Sequence, residues 1–327
     1  MYKFDEDKAL LEIKAKNPKR VLLQLPEGLK KEGFRLAKLI EEQARVETII
    51  SGEPLWGACD VAVAEAKTLK CDLIVIYGHA PFMKVDFPVV YVETRFEKGI
   101  KKLIEKSLKL IKGKNIGLVA SVQHIHQLND VRKLLEKHEK NVTVPSGKGH
   151  AHHVGQVLGC EYSGLKLEAK NIDCVLVLGN KFHSLGAALS IDKPVILVDP
   201  ANEEVIDIEP LKKKIVKQRV FAIDKVKQAR KVGVIISTKL GQHFGSFDYV
   251  LEKLKKIGKE GALISMNEVT NDKLVNLYDI EAFVELACPR IAVDDYSKFS
   301  KPVITVREFA YLVGDVTWED LLEKGFF

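Results

Sequence analysis

Cysteine is scarce in this chain and poorly spaced for cross-linking: five residues in 327, at positions 59, 71, 160, 174 and 288. An odd, scattered set excludes a disulfide framework and leaves reduced thiols or ligands to a soft metal centre. There is no CxxC zinc signature and no CxxxCxxC run. Long apolar runs are missing too, since nothing approaches the ~18 residues that a membrane helix needs. The opening MYKFDEDKALLEIK has no apolar core of signal-peptide length, so a cytoplasmic location without a membrane partner is expected. Aromatic residues make up 7% and are not interleaved with basic ones, so the formal charge of +6 does not point to direct nucleic-acid binding. The lysine surplus gathers in KKLIEKSLKLIKGK (101–114) and LKKKIVK (211–217), patterns of solvated helix faces and connectors.

What is present is a repeat with a period near 100 residues. CDLIVIYGH (71–79), IDCVLVLGN (172–180) and IEAFVELAC (280–288) are continuous apolar runs, as expected of strands covered on both faces. FPVVYVET (87–94), KPVILVDP (193–200) and KPVITVRE (301–308) follow them at matched positions. Upstream, RVLLQLPEGL (20–29), NIGLVASVQHIHQL (115–128) and KVGVIISTKLGQ (231–242) read as strands entering small or polar loops. An amphipathic helix follows each, with Phe34, Leu36, Ala37, Leu39 and Ile40 as the apolar face in the first copy. The order strand, helix, strand, helix, strand, loop, strand predicts an α/β protein of three similar domains. Each is a small four-stranded parallel sheet with flanking helices, over 1–110, 111–215 and 216–327. Loops at the carboxyl ends of parallel strands build sites, so three such units around an axis would aim their loops at one centre.

The cysteines follow the repeat. Cys59 in WGACD and Cys160 in VLGCE each come after a small residue, about a dozen residues before a third strand. Cys288 stands at the end of the third strand of the last unit, where the first unit has His79. A helix start would lower a thiol's pKa, and Gly57 and Gly159 would let the backbone approach a bulky ligand. Cys71 and Cys174 begin third strands, at the opposite end, and read as core. One thiol per unit suits an iron–sulfur cluster with one open iron or a zinc ion with three sulfurs and a water. Spacing alone does not choose between these and buried reduced cysteines.

Further segments are more specific. GEPLWGACDVA, SVQHIHQL, VPSGKGHAHHVGQVLGC, NKFHSLGAAL, STKLGQ and NEVTNDKLVNLYDIEAFVELACPRIAVDD, in this order along nearly the whole chain, resemble the archaeal diphthamide synthase family. The resemblance implies a homodimeric transferase in which Cys59, Cys160 and Cys288 bind a [4Fe–4S] cluster and S-adenosylmethionine meets the uncoordinated iron. A low-potential electron donor would start the reaction. The 3-amino-3-carboxypropyl group would pass as a radical to C2 of a histidine in translation elongation factor 2, releasing 5′-methylthioadenosine. After the second cysteine this chain reads GCEYSG, where the family leads one to expect smaller or hydroxyl residues.

Candidate cleft residues for S-adenosylmethionine follow from their strand-end positions: His79, Gln123, His183, Lys239, Gln242 and Arg290. Lys239 could meet a substrate carboxylate, or STKLGQ could simply be a turn. Arg290 could do likewise, or pair with Asp294 or Asp295. His150, His152 and His153 on a Gly-flanked loop read as a solvent-exposed segment. Val195 and Val303 are candidates for a dimer contact. The same three-thiol arrangement also fits a cluster-dependent lyase of quinolinate-synthase type, or a non-catalytic accessory scaffold.

Overall fold

The computed structural model describes residues 2–327. After a short strand β1 (Tyr2–Phe4), the first repeat supplies β2 (Arg20–Gln24), β3 (Glu47–Ile50), β4 (Leu73–Tyr77) and β5 (Val89–Val92). β6 (Thr94–Phe96) then pairs antiparallel with β1. The second repeat gives β7 (Asn115–Ala120), β8 (Asn141–Thr143), β9 (Cys174–Leu178), β10 (Val195–Asp199) and β11 (Glu204–Asp207). The third gives β12 (Lys231–Ser237), β13 (Glu260–Met266), β14 (Ala282–Glu285) and β15 (Val303–Thr305). The sheets run β3-β2-β4-β5, β8-β7-β9-β10-β11 and β13-β12-β14-β15. In every repeat the four parallel strands thus take the order second, first, third, fourth.

Burial explains the continuous apolar runs. β4, β9 and β10 are buried at every residue, because alternate side chains enter cores on opposite faces of their sheets. In the first sheet Val21, Leu23, Leu73 and Val75 face one core, and Leu22, Ile74 and Ile76 face the other. Helix Gly33–Ala44 buries Leu36, Ala37 and Ile40, but Phe34 is 72% exposed with the Lys38 ammonium over its ring.

Three features depart from the simple repeat. The expected loop between third and fourth strands holds only in the first unit; helices Lys181–Ser190 and Pro289–Asp294 occupy it in the others. Asn180 caps the first of these by accepting from the His183 N–H, and Pro289 opens the second at a position that needs no N–H donor. The second sheet has a fifth, antiparallel strand, β11, returned by a turn in which Asp199 Oδ1 accepts from the N–H groups of Ala201 and Asn202. Two packed helices blur the unit junctions: Lys101–Ser107 buries Leu103 and Ile104 in the second core, and position 215 falls inside helix Glu209–Gln228. Val195 and Val303 are interior, 1% and 2% exposed, and offer no surface for a dimer contact.

Helix Glu209–Gln228 also carries the most deeply buried ion pair. Arg219 and Glu308 have no exposed side-chain surface; Arg219 donates to both Glu308 oxygens and to the carbonyls of Ala292 and Val303. It thereby fixes helix Pro289–Asp294 against β15. Arg219→Met strands the Glu308 carboxylate and should cost about 3–5 kcal/mol in guanidinium unfolding, with Arg219→Met/Glu308→Gln recovering a large part. Equal losses in the single and double variants would contradict this.

Candidate metal centre

The carboxyl ends of all three sheets surround one cavity of about 330 Å³, lined by Cys59, Cys160 and Cys288. Cys59 lies in the loop after β3, where the Asp60 N–H closes a turn on Gly57 O at 2.9 Å. Cys160 lies in the loop after β8. Glu161, in the GCEYSG segment, organises that loop: its carboxylate accepts from the Ser163 N–H at 2.7 Å and the His150 N–H at 3.3 Å. Tyr162 turns inward and donates to His183 O. Cys288 caps helix Pro289–Asp294, and its N–H donates to Glu285 Oε2 at 2.9 Å. Cys71 and Cys174 sit at the far ends of β4 and β9, buried in cores.

The thiols' acidity differs from the expectation. Burial raises the pKa of all three cysteines, that of Cys160 to about 12, and their mutual negative charge adds to this for Cys160 and Cys288. Desolvation outweighs whatever the short following helices contribute. Thiolates at this centre therefore need a positive partner close by, as an iron–sulfur core would provide. Three soft sulfur donors from three separate loops fit that group. Among the described residues no three His, Cys, Asp or Glu side chains cluster tightly around a single-ion position; the sulfurs instead face a shared cavity.

Lys239 and Arg290 both line the cavity, yet their charges are already engaged. Lys239 Nζ lies 2.5 Å from Asp60 Oδ2, next to Cys59, and also donates to Glu268. Burial would lower its pKa, but these two carboxylates hold it raised and charged. Arg290 grips Asp294 through Nε and Nη2 at 2.5 and 2.8 Å, and Nη1 donates to Gly159 O and Phe182 O. Of the readings open for Arg290, the structure selects the pair with Asp294. Thus two third-unit cations tie down the loops that present the cysteines of the other units.

His79 and His183 line the cavity; burial lowers their pKa values to about 4 and about 3, with the Arg290 charge adding at His183. Both are neutral imidazoles at pH 7. Gln242 also lines it, its amide 3.7 Å from Cys59 Sγ. Gln123 does not: it donates to Gly78 O at 2.9 Å and ties the second unit to the first. The histidine-rich loop sits beside the site, with His150 stacked on Phe82 and His153 Nε2 2.6 Å from Glu93. Gly57 has only ordinary contacts, whereas a Cβ on Gly159 would stand 2.2 Å from the Phe182 ring, which would have to shift from beneath Arg290. Trp56, Glu268 and Phe182 were not singled out from sequence. Trp56 is 62% exposed at the rim and donates to Glu268, and Phe182 lies 3.9 Å beneath the Arg290 guanidinium.

The family model for diphthamide synthesis proteins matches residues 25–322. The chain is 36% identical over 320 residues to the 2-(3-amino-3-carboxypropyl)histidine synthase of Pyrococcus horikoshii, covering 96% of this chain and 91% of that protein. It is 30% identical over 344 residues to subunit 1 of the same synthase from Schizosaccharomyces pombe, covering 100% of this chain and 77% of the other. The crystal structure of Dph2 from Pyrococcus horikoshii with a 4Fe–4S cluster superposes with a TM-score of 0.88 at 33% identity, over 99% of this chain and 95% of that one.

Packing at Gly159 is a direct check on the loop geometry. Gly159→Ala should lower stability by about 1–3 kcal/mol, the usual cost of overpacking, and Phe182→Leu in the same chain should restore part of it. A thermal-melt double-mutant cycle with no coupling between the two positions would contradict the contact.

Proposed function

The chain belongs to the diphthamide synthesis protein family, and on that premise we propose that Cys59, Cys160 and Cys288 hold a [4Fe–4S] cluster at which S-adenosylmethionine is cleaved. The chain is a transferase of the 2-(3-amino-3-carboxypropyl)histidine synthase type. The observation that carries the cluster assignment is the meeting of one thiol from each repeat in a single cavity. When bound, the cluster supplies a low-potential electron and an open iron position.

In the proposed reaction the bond from sulfur to the γ-carbon of the methionine moiety breaks and 5′-methylthioadenosine leaves. The 3-amino-3-carboxypropyl radical adds to C2 of a histidine imidazole on translation elongation factor 2, and the adduct gives up one electron and the C2 proton to restore the aromatic ring. The protein's share is placement and exclusion of competing groups. His79 and His183 are neutral and bring no charge against the cationic sulfonium. With Lys239 and Arg290 engaged by carboxylates, the substrate's own carboxylate meets polar groups such as the Gln242 amide rather than a free ammonium. Trp56 and Phe182 give the mouth an apolar rim, which favours stacking of a purine or an imidazole. A homodimer, a low-potential reductant and a cytoplasmic setting complete the reading; among the described residues no helix is long and apolar enough to cross a membrane.

The test is anaerobic purification followed by a single turnover with dithionite, labelled S-adenosylmethionine and elongation factor 2. Label on the factor together with methylthioadenosine supports the transferase. A brown protein that leaves S-adenosylmethionine intact would point to a lyase or an accessory role. Cys59→Ala, Cys160→Ala and Cys288→Ala should each lose label transfer and intact cluster absorbance. Cys71→Ala and Cys174→Ala should retain both, and equal losses at all five positions would sink the ligand assignment.

A further inference from the structure

We propose that Lys239 is the positioning residue for the Cys59 sulfur, clasping the first unit's cysteine loop to the third unit before any cluster is bound. The proposal rests on the reading of Cys59 as a ligand and adds a reason for its placement. Lys239 is 4% exposed and meets two carboxylates from opposite sides of a unit junction. Asp60 is the neighbour of Cys59; Glu268 lies in the loop after β13 and accepts the Trp56 indole N–H, so the clasp grips the cysteine loop at both Trp56 and Asp60. The same strand-end segment makes backbone contact. Gly241 N donates to Cys59 O at 2.9 Å, and a Cβ on Gly241 would lie 2.7 Å from Cys59 Cα. No comparable cation holds Cys59 from within its own unit among the described residues.

A buried ammonium shared by two carboxylates loses its role if the charge is removed, because Asp60 and Glu268 are then left facing each other. The loop carrying Cys59 should swing away while the loops of Cys160 and Cys288, held by Arg290 and Glu285, stay in place. Lysine at this position is therefore a structural requirement of one ligand rather than a substrate contact.

The test is alkylation of the full-length, iron-free chain by iodoacetamide, with each cysteine followed by mass spectrometry. In Lys239→Met the rate at Cys59 should rise about tenfold or more, with Cys160 and Cys288 changing less than about twofold, as expected when one loop opens locally. Trp56 emission, read with Trp318→Phe to remove the second tryptophan, should shift to the red in the same variant. Lys239→Arg should restore much of the protection, and Glu268→Gln should reproduce part of the defect if Lys239→Met proves too unstable to purify. Uniform acceleration at all five cysteines would mean general unfolding and would overturn the proposal, as would unchanged labelling at Cys59. Because the readout is taken without iron, failure of the unaltered protein to take up a cluster would defeat the ligand reading but leave the clasp to stand or fall on its own labelling pattern.

Discussion

Cations removed from water must be paired, and in this protein that requirement welds three units into one site. Lys239 and Arg290 both belong to the third unit; each is paired there with a carboxylate, Glu268 or Asp294, and reaches across to Asp60 or Gly159 O at the cysteine loops of the first and second. Arg219 acts one layer deeper, fixing the helix that Cys288 caps. Each pair gives back little net stability against an apolar replacement, because desolvation consumes most of the Coulombic gain. What such contacts do supply is a cost for other arrangements, since a shift of the first unit's loop takes Asp60 from the buried Lys239 ammonium and a shift of the second's takes Gly159 O from the buried Arg290 guanidinium. The site is thus placed by interactions between units, while each sheet is stabilised by its own two apolar cores.

That division explains what could be read from residues alone. The threefold repeat was legible because parallel strands covered on both faces must be apolar throughout, as in LIVIY and CVLVL. The converging cysteines were legible because strand-end loops of similar units face one centre. The helix Lys181–Ser190 was missed because its small residues, Gly186, Ala187 and Ala188, lack helical contrast; all three are buried. β11 was missed because four residues, EVID, give too short an alternation at a sheet edge. The Arg290–Asp294 pair was legible from its four-residue spacing, but the cross-unit partners had no sequence signal: Asp60 is 179 residues from Lys239, and Gly159 is 131 from Arg290. Trp56 and Glu268 meet across 212 residues for the same reason.

The chemistry of the cavity is set by what is kept neutral. Two imidazoles are held uncharged by burial, two cations are neutralised by carboxylates, and burial pushes three thiols toward their neutral form. Behind the cavity wall Glu285, its pKa pushed up to about 8 by burial, accepts from the Ala287 and Cys288 N–H groups. Such a site disfavours stray charge, and it suits soft sulfur ligation better than hard-ion binding.

The central claim is that three sulfurs, one per repeat, hold an iron–sulfur core in this cavity. Anomalous diffraction at the iron edge, from crystals grown without oxygen, tests it most directly. The account predicts a single compact iron peak bonded to Cys59, Cys160 and Cys288, with one iron free of protein ligands. Iron bound elsewhere, or ligation that omits any of the three, would contradict it.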